Sequence, residues 1–393
     1  MELEKIQHAL REKNIDGWLF YDFLHRDIIS YHILGLPTSK MTMRRWFYFI
    51  PSLGEPKKLA HRVEPTKLDS LPGEKILYSA WEELHSQLKN MLGKPPKKIA
   101  MQYSPFQNIP YVSLVDAGLV ELVRSFGHEA VTSADLVQLF EARIDEKGYR
   151  LHKEAARLIC SIKDQAFEEI RKAVRDRREL TEYSLARFIE EKFSENNLTN
   201  LDEIPIVGIN EHPANPHFEP TPENTYRFEQ GNTVLIDLWA KKDVPQAIFA
   251  DITWCGYIGD SPPEKYIEIF DVVRRARERA VEFVRQKFSR QEPCFGWEVD
   301  DACRQVIKEA GYGEFFVHRT GHSIGEEVHG NGVNIDNLET RDERELIPGN
   351  CFSIEPGIYF DGEMAARSEI DVFITPEGEV EVTTEEQSEL VKI

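Results

Sequence analysis

Four acidic residues stand where apolar strand formers surround them. Asp237 lies inside TVLIDLWA and Asp251 inside IFADITW; Glu355 follows FSI in FSIEPG, and Glu369 opens a strand-like run in ARSEIDVFIT. The two members of each pair are 14 residues apart, Asp237 to Asp251 and Glu355 to Glu369. An ionised carboxylate taken out of water costs several kcal/mol unless it is paired or bound to metal. Four brought together repel one another. Lys or Arg partners could offset that repulsion; a pair of divalent cations does so more directly. A nitrogen donor is at hand in HRTGHSIGEEVHGNG, which carries His318, His322 and His329. Gly321 and Gly325 would let the backbone beside His322 approach a crowded centre. Carboxylates with one imidazole make a hard, oxygen-rich set suited to Mn²⁺, with Co²⁺, Fe²⁺ or Zn²⁺ as alternatives. Taken singly, each residue has a plainer structural reading: 68 of the 393 residues are acidic, and a histidine among glycines can simply fill a turn. The joint pattern is what points to a metal centre.

The elements that must position these residues follow from periodicity. In residues 1–140, helical patterns at 3–13, 81–91 and 133–142 alternate with buried strand patterns at 17–22 (GWLFYD) and 46–51 (WFYFIP), which reads as an α/β domain. The pattern changes near 143–148, and the boundary is set at 146/147. Beyond it one order occurs twice. Helices at 151–175 and 183–195 precede strands at 233–240 and 248–254; helices at 263–288 and 297–310 precede strands at 351–354 and 369–375. The halves share negligible sequence identity, yet the repeated order implies an α+β domain of two related halves.

Composition narrows the function classes. The chain has 393 residues, 41% hydrophobic and 10% aromatic, which suffices for roughly two packed domains. Its net charge of −20 argues against nucleic acid and against an anionic membrane surface. No apolar run approaches membrane-spanning length, and the first residues lack the apolar core of a signal peptide. The five cysteines (Cys160, Cys255, Cys294, Cys303, Cys351) form no CxxC pair, which fits reduced, buried thiols in the cytoplasm.

Those carboxylates and the histidine, in that order, resemble the pita-bread metallopeptidases: methionine aminopeptidases, Xaa-Pro aminopeptidases and prolidases. VGINEHPANPHF with His217, DIT at 251–253, TGHSIGEEVH, SIEPGIYF and RSE at 367–369 carry the resemblance. Residues 1–146 resemble the creatinase-like N-terminal domain of the prolidase and Xaa-Pro aminopeptidase branch, and 147–393 the catalytic domain. The resemblance implies two metal ions per chain on Asp237, Asp251, His322, Glu355 and Glu369, with Asp251 and Glu369 bridging. It implies Glu355 as proton carrier, His329 and His217 as groups that stabilise the oxyanion and place the substrate, and His318 as a further substrate-side or supporting group. It implies Arg341, 14 residues before Glu355, as the anchor for a dipeptide's terminal carboxylate, or else an exposed partner of Asp342 or Glu345. The activity implied is hydrolysis of Xaa-Pro bonds in small peptides by a homodimer. The alternatives are an aminopeptidase acting on longer peptides and a non-catalytic module. Two departures stand out. About three extra residues fall near 241–246, a loop lengthening that costs little. Trp254 stands where an Arg is frequent.

Overall fold

GWLFYD and WFYFIP become antiparallel neighbours, β1 (Gly17–Asp22) and β2 (Trp46–Pro51), at the middle of a six-stranded sheet. The computed structural model describes residues 2–39 and 41–393. The remaining strands are β3 (Lys57–His61), β4 (Glu74–Tyr78), β5 (Lys98–Met101) and β6 (Glu129–Thr132), in the order β4-β3-β2-β1-β5-β6. Alternation along β1 and β2 feeds two cores. Trp18, Phe20, Trp46 and Tyr48 face α1 (Leu3–Glu12), α2 (Ile28–Leu34) and α5 (Ala134–Glu141). Leu19, Tyr21, Phe47 and Phe49 face α3 (Trp81–Leu92) and α4 (Ala117–Ser125). Burial on both faces explains why these strands read as unbroken apolar runs.

This first unit ends at Glu141, and the second runs Ala142–Ile393, so the seam lies before the expected 146/147. Residues 142–145 are tied into the second unit: the Ile144 N–H donates to Gly349 O at 2.8 Å, and Arg143 Nε to Pro348 O at 2.9 Å. Asp145 then caps α6 (Glu146–Arg175) by accepting from the Gly148 N–H at 2.7 Å.

The second unit has the expected doubled order. Its first half comprises α6, α7 (Glu182–Glu195), β7 (Leu198–Thr199), β8 (Ile206–Ile209), β9 (Thr233–Lys242) and β10 (Ala250–Tyr257). Its second comprises α8 (Glu264–Ser289), α9 (Gly296–Glu309), β11 (Cys351–Ile354), β12 (Gly357–Phe360), β13 (Met364–Arg367), β14 (Ile370–Ile374), β15 (Val380–Val382) and β16 (Val391–Lys392). β9 and β10 are antiparallel, with β8 and β7 also on β9; β11, β14 and β15 form a second antiparallel sheet. Val234, Ile236 and Leu238 of β9 pack with Ala250 and Ile252 of β10 in the core under α6 and α7. Strand alternation therefore turns Asp237, Trp239, Asp251 and Thr253 to the opposite face. The added residues after Lys241 extend the hairpin, and Leu198 of β7 pairs with Lys242, so the Asp237–Thr253 register survives. Trp254 lies beneath a lysine: Lys163 Nζ is 3.6 Å from its ring centroid and also meets Asp164 and Glu385.

Between α9 and β11 runs a long irregular segment whose backbone N–H groups need partners. Asp300, Asp336 and Asp342 supply them, accepting from Thr320, from 338–340 and from Asn334. All five cysteines are buried and unpaired. Among the described residues no helix is long and apolar enough to cross a membrane.

Candidate metal centre

The register of the two hairpins brings the four carboxylates together. On the first, Thr253 opposes Asp237 and Trp239 opposes Asp251. On the second, Glu355 and Glu369 lie just beyond the paired ends of β11 and β14, where Ile354 opposes Ile370. Direct bonds join the hairpins. Thr253 Oγ1 donates to Glu369 Oε2 at 2.7 Å, the Glu369 N–H to Thr253 O at 3.2 Å, and the Asp251 N–H to Asp371 Oδ2 at 2.9 Å. His322 is brought in by Gly321, where a Cβ would lie 2.0 Å from Ser353 O; Gly325 is under no such pressure.

The donor set fits divalent metal. One ligand atom from each of Asp251, His322 and Glu369 lies within 4.8 Å of the others. His322 Nε2 is 3.4 Å from Glu355 Oε1 and 3.7 Å from Asp251 Oδ2. Its Nδ1, 3.2 Å from Ser323 O, is the donor nitrogen, so Nε2 points a lone pair at acceptors. Asp237 Oδ1, Asp251 Oδ1 and Glu369 Oε1 are buried without a hydrogen-bond partner among the described residues. Acceptors facing acceptors in a buried site need a cation or a proton between them. Burial pushes the carboxyls of Asp237, Asp251, Glu355 and Glu369 above the usual range; for Asp251 and Glu369 the neighbouring carboxylates add to it. Burial likewise lowers the basicity of His322, keeping the ring neutral and fit to ligate.

A cavity of about 600 Å³ opens on these groups. His217 and His329 line it, both exposed, and His329 meets His322 edge-on at 4.4 Å between ring centres. The loop bearing His217 is fixed by buried Glu182, which accepts from the Ile209 and Tyr226 N–H groups and from His212 Nδ1. His318 also lines the cavity, yet both of its nitrogens are engaged. Nδ1 donates to Arg319 O at 2.6 Å, and Nε2 accepts from the Tyr359 hydroxyl at 2.7 Å. That corrects the substrate-binding reading of His318: it orients Tyr359 and holds no open nitrogen for a ligand. Arg341 does not reach the cavity lining. It is exposed, its guanidinium 4.7 Å from the Trp297 ring centre and 3.4 Å from Glu343. Asp342, expected as its partner, is buried and pairs with Arg344 instead.

Other groups complete the site that the spacing argument did not single out. Arg367 is buried, pairs with Asp237, and donates from Nε to Thr253 Oγ1 at 3.0 Å and from Nη1 to the Tyr359 hydroxyl at 3.3 Å. Burial lowers the basicity of His322 and His329, and the charge of Arg319, which lines the cavity, adds to it. Asp371 is a fifth buried carboxyl, raised by burial, and it holds the Asp251 backbone. The signal for Arg367 and Asp371 was their place two residues to either side of Glu369.

The model of metallopeptidase family M24 matches residues 150–376. The Xaa-Pro dipeptidase of Lactobacillus helveticus is 34% identical over 181 residues, which cover 44% of this chain and 42% of that protein. This chain thus aligns with well under half the length of that curated relative. The crystal structure of dipeptidase PepE from Mycobacterium ulcerans superposes with a TM-score of 0.74 at 23% identity, covering 100% of this chain and 97% of that one. That of a dipeptidase from Pyrococcus horikoshii OT3 gives a TM-score of 0.64 at 26% identity, covering 100% of both chains.

Proposed function

We propose that this chain, which belongs to metallopeptidase family M24, hydrolyses the Xaa-Pro bond of dipeptides with two divalent ions held by Asp237, Asp251, His322, Glu355 and Glu369. The observation that carries the reading is the cluster of unpartnered, buried carboxylate oxygens around a neutral imidazole lone pair. Four carboxylates and Asp371 against one buried guanidinium leave about four negative charges, which two divalent ions offset and one does not. The oxygen-rich set favours Mn²⁺. Bound there, such ions supply Lewis acidity toward a carbonyl oxygen and acidify water.

The chain's own groups do the rest. Glu355, held at Oε1 by the Ser353 hydroxyl at 3.1 Å, takes a proton from the attacking water and passes it to the proline nitrogen as the C–N bond breaks. His329 and His217 at the mouth donate N–H groups to the developing oxyanion and hold the peptide. Arg367 and Thr253 keep Asp237 and Glu369 aimed into the cavity. The proline ring, fixed at φ near −65° and lacking an N–H, presents a rigid leaving group.

The names of the relatives favour dipeptides. The place of Arg341 away from the cavity lining favours a second reading, cleavage of longer Xaa-Pro peptides, because it withdraws the expected anchor for a dipeptide's terminal carboxylate. We read the chain further as a cytoplasmic homodimer. Five unpaired thiols suit a reducing compartment, and exposed Leu24, Ile28, Met41 and Met43 suit a second copy. Turnover of Xaa-Pro dipeptides, Xaa-Pro-Xaa tripeptides and proline-free controls by Mn²⁺-loaded protein tests the function. Cleavage confined to proline-free peptides, or none, refutes it.

A further inference from the structure

Trp239 and Asp251 are direct cross-strand partners, as are Asp237 and Thr253. Side chains opposed in this way stand about 5 Å apart on one face. Asp237 and Trp239, two residues apart on β9, share that face at about 7 Å. The indole therefore lies one side-chain length from the carboxylates of the metal centre. Its Nε1 donates to Glu203 Oε2 at 2.9 Å, and both residues line the cavity. This bond fixes the Glu203 carboxylate against the ring and leaves Oε1 to accept from a ligand. Asp202 and Glu219 line the same cavity, while Ile204 and Ile206 add apolar surface beside them. Apart from the metal ligands, the lining holds Asp202, Glu203, Glu219 and Glu339 against two guanidiniums, and one of those, Arg367, is committed to Asp237.

We propose that Glu203 and Trp239 form a specificity subsite for the side chain of the substrate's N-terminal residue, and that it selects a cationic one, lysine or arginine. The inference rests on the peptidase reading above. The four-carbon stem of lysine is long enough to cover the roughly 5–7 Å that separate Trp239 from Asp251 and Asp237. The stem lies along Ile204 and Ile206, and the ammonium meets the ring face and Glu203 Oε1 together. An exposed ion pair with a cation–π contact gives about three- to tenfold in binding at low salt, falling as salt screens it.

The test pairs substrates that differ only in the ammonium. For Mn²⁺-loaded protein, kcat/KM on Lys-Pro should exceed that on norleucyl-proline about three- to tenfold at low ionic strength. Glu203→Gln should bring the ratio close to one, and Glu203→Lys should invert it. A second readout needs no turnover: calorimetric binding of L-lysine against L-norleucine to the same loaded protein should show the same preference and the same loss in Glu203→Gln. Equal affinities in wild type, or a preference that survives Glu203→Gln, overturn the subsite. Absence of Xaa-Pro cleavage with the lysine preference intact overturns the peptidase reading instead.

Discussion

Arg367→Met removes the buried guanidinium that pairs with Asp237. The side chain is 5% exposed, pairs with Asp237 Oδ2, and donates to Thr253 Oγ1 at 3.0 Å. Removing one partner of a buried pair costs about 3–5 kcal/mol, because the other charge stays behind without compensation. In metal-free protein no cation replaces that compensation, so most of the loss falls on the second unit. At roughly 2–4 °C per kcal/mol for a domain of this size, its melting temperature should drop by about 6–20 °C. Divalent ions would themselves offset Asp237, and in their presence the drop should shrink to less than half. Scanning calorimetry in chelator and in excess Mn²⁺ reads both values. The double variant Asp237→Asn/Arg367→Met should recover at least about 1 kcal/mol of the single loss, since neighbouring partners couple. A metal-free melting temperature within about 2 °C of wild type, or equal drops with and without metal, would refute the reasoning.

Asp251→Ala should abolish peptidase activity and lower bound metal measured by elemental analysis; full metal content with full activity would sink the site. Glu355→Gln should lose most turnover while keeping the fold, with metal content measured alongside, and near-wild-type kcat would exclude its proton-carrying role. His152 is buried, with Nδ1 2.6 Å from Phe249 O and Nε2 2.7 Å from Thr383 Oγ1, and burial pushes its pKa down to about 4. Its folded pKa lies below the unfolded value, so the neutral ring's stability is complete above about pH 6.5 and is lost as pH falls through 4. Up to about 3 kcal/mol should disappear over that window, and denaturant titrations of His152→Gln should lack that slope. Arg341→Ala should change kcat/KM on Xaa-Pro dipeptides less than about twofold, given its place over Trp297; a tenfold loss specific to dipeptides would restore it as the carboxylate anchor.

The four clustered carboxylates were legible because each interrupts an apolar strand pattern, and because the two strand pairs repeat their spacing. β1 and β2 were equally legible, being fully apolar runs bounded by turns. The start of α6 was less so: EKGYR has no apolar period, and the cap that begins the helix is Asp145. Spacing also misled. Arg341 has the right interval from Glu355, but Asp336 and Asp342 bind the surrounding backbone and turn 341 outward. The partnership of Arg367 with Thr253 joins strands far apart in the chain, and no local pattern announces such a contact. Of the two glycines beside His322, only Gly321 is required by a close approach, a distinction that needs the position of Ser353.

The stitching of β10 to the second hairpin, through Asp251 to Asp371 and Thr253 to Glu369, has a consequence for synthesis. On the ribosome, Asp237 and Asp251 emerge before α8 and α9, and their hairpin can close in microseconds. His322, Glu355, Arg367 and Glu369 arrive only after both helices. Until then the nascent chain displays half of the carboxylate cluster, without the imidazole and without the guanidinium that tempers its charge. Pairing over so long a sequence separation is a slow, late event. The carboxylate cluster therefore closes late in the maturation of this chain, when β16, which pairs with β10, has also been made.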